Sequence, residues 1–199
     1  MADTPIKLPT GLLGGSFNPV HLGHVGLARW IAANAGVDSV WLSLSPSSPF
    51  KSRADLLPDD LRLRMLYAAT APYVSLHVTD VELTLPRPSY TVDALRRLSQ
   101  LHPDRAFRLI IGSDNVPSFC KWRCWEEIVG NFGLIIYPRP GYSFPLPQFL
   151  APFVANITML HDTPSFDISS TEIRRRLACG RSLEGLMDPS AEAILRSIL

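Results

Sequence analysis

Apolar residues in this chain come in short blocks, and the blocks alternate between two spacings. Ser39-Val40-Trp41-Leu42-Ser43-Leu44 is a β-rich run that predicts a buried strand. Similar runs at 107–111 and 132–137, an alternating stretch at 74–78, a short one at 157–160 and the pair Leu12-Leu13 predict five more. Between them the spacing becomes helical. Residues 22–35 predict a helix, and so do residues 59–71, with Leu61, Met65 and Leu66 on the inner face. Val92, Leu95, Leu98 and Leu101 recur as on a helix facing a sheet, with Ser89 or Thr91 as its cap. Residues up to Val129 after the fourth strand read as mostly helical, and the proline-rich stretch 143–152 holds a short helix. Strands alternating with helices predict an α/β fold with a doubly wound, mostly parallel sheet. Ligands should then lie between the carboxyl ends of the first and fourth strands.

With 199 residues and neither repeats nor low-complexity tracts, one domain over 1–199 is expected, ending in a helical segment from about 169. A net charge of +1 gives no bulk-charge surface for nucleic acid or membrane. No apolar run reaches membrane-spanning length and no leader pattern opens the chain, so the cytoplasm is the expected compartment. The cysteines, Cys120, Cys124 and Cys179, are odd in number and too few for a disulfide framework, and they predict free thiols with no metal site.

The chemistry concentrates where the first strand turns into the first helix, at Gly14-Gly15-Ser16-Phe17-Asn18-Pro19-Val20-His21-Leu22-Gly23-His24. Glycines let the backbone approach an anion, and the first amides of a helix, with its dipole, favour negative charge. His21 and His24, three apart, share a face if both lie in the first turn, where two imidazoles could meet charge building on phosphate. A second such start lies at Ser169-Ser170-Thr171-Glu172-Ile173-Arg174. Ser169 and Glu172 form a capping box, Ser170 and Thr171 fall in the first turn, and Arg174 offers a bidentate fork. Two phosphate sites suit a triphosphate and its departing pyrophosphate. At the fourth strand end, Asp114 of Gly112-Ser113-Asp114 either caps a helix or binds ribose. Phe119, Trp122 and Trp125 are either core or a stacking platform. The turn-rich loop 45–53 carries Lys51 and Arg53, either for substrate phosphate or for solvent.

Gly-Ser-Phe-Asn-Pro-Val-His-Leu-Gly-His resembles the HxGH signature of the nucleotidylyltransferase superfamily, and Ile168 to Arg174 resembles its second signature, ISSTxIR. Ile111-Gly112-Ser113-Asp114-Asn115, the Phe119/Trp122 pair, Ser89-Tyr90-Thr91 and Arg139-Pro140-Gly141-Tyr142 are similar to the bacterial nicotinate mononucleotide adenylyltransferases. Two positions depart from the pattern: Asn18 stands where many members have Asp, and Phe50 where many have His. The resemblance implies transfer of the adenylyl group of ATP to nicotinate mononucleotide, with Mg²⁺. It implies Gly14, Gly15, Ser16, Phe17, His21, Gly23, His24, Ser170, Thr171 and Arg174 around ATP, with His21, His24 and Arg174 acting on the reacting phosphates. Trp122 would stack on the pyridine, Tyr90 and Thr91 would border its carboxylate, and Lys51, Asp114 and Arg139 are candidates for ribose and phosphates.

A class I aminoacyl-tRNA synthetase also carries HxGH, but neither a KMSKS-like loop nor an anticodon-binding domain is present. Another acceptor, nicotinamide mononucleotide or phosphopantetheine, is the rival among enzymes. A non-catalytic nucleotide-binding module is the rival outside them, and the intact His21, His24 and Arg174 speak against it. Oligomeric state is not legible.

Overall fold

A computed structural model describes residues 6–46, 56–141 and 145–197. Six strands, β1 (Leu8–Gly15), β2 (Ser39–Leu44), β3 (Leu76–Thr79), β4 (Arg105–Gly112), β5 (Leu134–Tyr137) and β6 (Ile157–Met159), form one sheet in the order β3-β2-β1-β4-β5-β6. Every neighbouring pair is parallel, with Leu13 opposite Leu42 on one side and Ile110 on the other. The strand order reverses between β1 and β4, so the helices leaving their carboxyl ends turn to opposite faces and open a crevice there.

Strand alternation sorts the core into two layers. Leu13, Val40, Leu42, Ile110 and Ile135 face helices α1 (Leu22–Asn34), α2 (Asp59–Thr70), α6 (Ser170–Ala178) and α7 (Pro189–Arg196). Leu12, Trp41, Leu109, Ile111 and Ile136 face α4 (Thr91–Leu101) and the irregular segment after β4. Among the described residues no helix is long and apolar enough to cross a membrane.

Several elements differ from the sequence expectation. β3 starts at Leu76, and Val74 is 97% exposed in the turn before it. Leu101 is half-exposed at the last residue of α4, where the helix runs past its packing partners. Tyr90, not Ser89 or Thr91, caps α4, and no side chain bonds the helix start. The expected helix through Val129 is broken. A 3₁₀ segment (Val116–Lys121) is followed by Cys124 at a left-handed φ of 50°, the short α5 (Trp125–Glu127) and a π turn over Ile128–Phe132. Gly133, at φ 80°, ends that turn in a conformation side-chain-bearing residues avoid. The proline-rich stretch gives 3₁₀ turns over Gln148–Asn156. The C-terminal segment holds a second helix, α7, which packs on α2; Pro189 opens it and Asp188 caps it by accepting from Ser190 N at 2.9 Å.

Candidate active site

β1 ends in two glycines, and the chain then turns through Phe17 at φ 40° with its ring buried. His21 is the N-cap of α1 and His24 the third helical residue, so the short turn between them stacks the rings at 3.6 Å and 28°. The His21 amide donates to His24 Nδ1 at 3.3 Å. An acceptor at Nδ1 leaves the proton of a neutral His24 ring on Nε2. The Phe17 ring meets His24 edge-on at 5.1 Å. Gly23 lies close beneath: a Cβ there would come within 3.0 Å of His21 Nδ1 and 3.1 Å of the Phe166 Cβ. The helix amides are less open to an anion than expected, because Leu22 N donates to the Leu186 carbonyl at 2.9 Å.

His21 is 7% exposed, and its Nδ1 is buried with no hydrogen-bond partner among the described residues. Burial, and next the positive charge of Arg139, push its pKa down from 6.5 to about 4. At neutral pH this ring is uncharged and meets an anion as a dipole, not as a cation. The unfolded chain takes up the proton first as pH falls, so the folded state loses stability between 6.5 and about 4. Wild-type protein should lose about 2 kcal/mol more than His21→Asn between pH 7 and 5 in chemical denaturation. Equal losses in the two proteins would refute the shift. Glu82, whose pKa burial raises, acts with the opposite sign but equally in both proteins.

The second motif docks on the first. Ser169 caps α6 by accepting from Glu172 N at 3.2 Å. The reciprocal half of the expected capping box is absent, since the Glu172 carboxylate pairs with Arg175 and Arg176, both at 2.8 Å. Ser170 Oγ donates to the Pro19 carbonyl at 2.9 Å. Arg174 donates through Nη1 to the Asn18 carbonyl at 2.6 Å and through Nη2 to Thr171 Oγ1 at 3.3 Å. Of the three successive arginines, Arg174 alone turns to the crevice. Asn18 Oδ1 accepts from Leu57 N at 2.9 Å, a task an amide oxygen performs as a carboxylate would.

Across the switch point, Asp114 faces Arg139 at 3.6 Å, and Ser113 Oγ accepts from Arg139 N at 2.8 Å. Asp114 is not a helix cap; Asn115 precedes the next segment. Arg139 thus pairs with Asp114, and its charge also reaches His21. On the flank, Tyr90 is 38% exposed at the start of α4, and Thr91 is its first residue. Trp122 is half-buried, 5.4 Å from the Phe119 ring, which is itself core. Arg123 joins the two sides, lying 4.7 Å over the Tyr90 ring and 3.6 Å from Asp93. Lys51 and Phe50 lie outside the described residues.

Two residues that the sequence reading passed over tie these loops together. Arg62 is fully buried and donates to the carbonyls of Ser16, Ser45 (3.0 Å), Pro46 (3.2 Å) and Leu57 (3.0 Å), besides Asp59. One guanidinium thus fastens the turn after β1 to the end of β2. Its signal was an arginine four residues before Leu66, on a helix face that is otherwise apolar. Glu82, on the short α3 (Val81–Thr84), accepts from Ser43 Oγ at 2.7 Å and Ser45 Oγ at 3.0 Å. Nothing in its local spacing marks it, because the serines lie almost forty residues earlier.

The profile of the cytidylyltransferase-like family matches residues 12–176. A probable nicotinate-nucleotide adenylyltransferase of Bacteroides fragilis is 45% identical over 92% of this chain and 89% of its own. One from Bacteroides thetaiotaomicron is 41% identical over 97% and 93%. Among solved structures, a Plasmodium falciparum nicotinic acid mononucleotide adenylyltransferase complexed with NaAD superposes with a TM-score of 0.75 at 20% identity, covering 96% of this chain and 97% of that one. The structural likeness carries the fold, and the sequence relatives carry the rest. By its two signatures, its crevice and these matches, the chain belongs to the nicotinate-nucleotide adenylyltransferase family, within the cytidylyltransferase-like nucleotidyltransferases.

Proposed function

We propose that this chain, as one nucleotidyltransferase domain in the cytoplasm, transfers the adenylyl group of ATP to nicotinate mononucleotide. The products are nicotinate adenine dinucleotide and pyrophosphate, in the service of NAD synthesis. The observation that most supports this reading is the seam between α6 and the turn after β1, where Ser170 and Arg174 bond the carbonyls of Pro19 and Asn18. It brings the two helix starts that carry the signatures together. The relatives' names supply the acceptor.

The acceptor phosphate is already a nucleophile at neutral pH, so alignment and charge stabilisation do the work. An acceptor oxygen bonds to the α-phosphorus while the bond from that phosphorus to the bridging oxygen breaks, and the electron pair leaves with pyrophosphate. His24 Nε2–H donates to the α-phosphate, and neutral His21 supports the ring against which it stacks. Gly14 to Phe17 and Gly23 let the nucleotide approach closely. Ser170, Thr171 and Arg174 take the outgoing phosphates. Trp122 stacks on the pyridine, Tyr90 and Thr91 border its carboxylate, and Asp114, Arg139 and Lys51 serve ribose and phosphate. Mg²⁺ enters as the metal complex of ATP and offsets charge on the triphosphate. Among the described residues no three His, Cys, Asp or Glu side chains cluster as a metal cage.

The test is a panel of acceptors with ATP, namely nicotinate mononucleotide, its amide analogue and phosphopantetheine, scored for pyrophosphate. No pyrophosphate from any of them would leave only a binding module. Arg174→Lys should lower kcat at least tenfold. Because the guanidinium also tethers Asn18, it should cost about 1 kcal/mol of stability as well. Unchanged kinetics would mean that Arg174 is a tether alone.

A further inference from the structure

The fully buried Arg62 pairs with Asp59, and Asp59 in turn reaches a second loop. Asp59 is the first residue of α2, and its Oδ1 accepts from Arg62 Nη2 at 2.5 Å. Its Oδ2 accepts from Nη2 of Arg87 at 3.0 Å, in the loop that leads into α4. One carboxylate thus joins guanidinium groups from two different segments. Alone, Asp59 and Arg87 would be an ion pair of half-exposed side chains. Such pairs contribute little, because holding two long side chains in one geometry costs entropy.

Here the carboxylate is already ordered. Arg62 donates to the Ser16 carbonyl in the turn after β1, and Leu57 N donates to Asn18 Oδ1 of the same turn at 2.9 Å. Arg62 Nε closes the arrangement on the Leu57 carbonyl at 3.0 Å. The start of α2 is therefore pinned to that turn at two points, and Asp59 with it. At the other end, Pro86 and Pro88 flank Arg87, and each fixes its own φ. Tyr90 follows two residues after Pro88, and its carbonyl accepts from the amides of Asp93 and Ala94 at 3.0 and 3.2 Å. Arg62, Asp59 and Arg87 form a continuous chain of charge-assisted hydrogen bonds from the Ser16 turn to the loop before Tyr90.

We propose that Asp59 and Arg87 are positioning residues that set Tyr90 and Thr91 relative to the turn holding Ser16 and Asn18, so that a bound acceptor lies with its phosphate toward that turn; this rests on the acceptor reading above. Neither residue touches the reacting atoms. Arg62 is the fixed end of the chain, so replacing Arg87 frees the loop and leaves the buried anchor in place.

Two measurements on purified full-length protein test this. In steady-state kinetics, Arg87→Gln should raise the KM for nicotinate mononucleotide roughly three- to fivefold, the scale of one ion pair, with kcat and the KM for ATP within about 1.5-fold of wild type. Arg87→Lys keeps a cation for Asp59 and should recover most of the loss. Asp59→Asn keeps an oxygen for Arg62 and offers none to Arg87, so combining it with Arg87→Gln should raise the acceptor KM no further than the larger single change. In hydrogen exchange of the ligand-free protein, the amides of Asp93 and Ala94 should exchange about threefold faster in Arg87→Gln, with residues 57–66 unchanged. A wild-type acceptor KM or wild-type exchange in Arg87→Gln overturns the proposal. So do effects of the two substitutions that simply add, or KM values for ATP and acceptor that rise together. A wild-type enzyme that makes no dinucleotide would sink the acceptor reading, and the exchange result would still decide whether Asp59 and Arg87 hold the loop.

Discussion

Replacing His24 by alanine is expected to lower kcat by roughly 10²–10³, the scale for losing one preorganised donor to a transition state. The geometry sets the donor in advance. The His21 amide occupies Nδ1 at 3.3 Å, which assigns the proton of the neutral ring to Nε2. The His21 ring at 3.6 Å and the Phe17 ring at 5.1 Å hold the plane, so no reorganisation is needed as charge develops. Alanine also removes the acceptor for His21 N–H, at about 1 kcal/mol of stability. Two further variants separate the roles. His24→Asn offers an oxygen near the old Nδ1 and no donor at Nε2, so it should keep the fold and lose the rate. His24→Gln can carry an N–H close to the former Nε2 and should recover part of it. A folded His24→Ala enzyme with kcat within about threefold of wild type would remove His24 from the reaction.

The acid acceptor should be used with a kcat/KM at least on the order of 10² above that of its amide analogue. The two differ only where a ring carboxylate is replaced by a neutral carboxamide. Donors arranged around Tyr90 and Thr91 would make charge-assisted hydrogen bonds to the acid. The amide would set its NH₂ against one of them, and an unmet buried group costs ~1–3 kcal/mol. The structure adds a cation at the same edge, the Arg123 guanidinium 4.7 Å over the Tyr90 ring. Trp122→Ala should weaken both acceptors alike, because stacking reads the ring and not its substituent. Steady-state kinetics on both acceptors at saturating MgATP decides this. Equal efficiencies would end the acid-specific reading and leave adenylyl transfer standing.

The six strands, the parallel sheet and the two signature-bearing helix starts were legible in the linear chain. Strand and helix periods are local properties, and β2 was read to the residue because every position from Ser39 to Leu44 is buried. The signatures around His21 and Ser170 were legible for a related reason, since turn glycines and helix caps act within four or five residues. Only the fold decided what those residues meet. That Arg174 reaches the Asn18 carbonyl, 156 positions away, follows from α6 returning to the β1 end, and no local pattern encodes that return. The charge of His21 depends on burial and on Arg139, which comes from the loop after β5. In the linear chain Arg62 and Glu82 looked like ordinary charged residues. Their importance lies in partners brought to them by the crossover of β2 beside β1, since a polar group costs or stabilises according to what surrounds it once water is excluded.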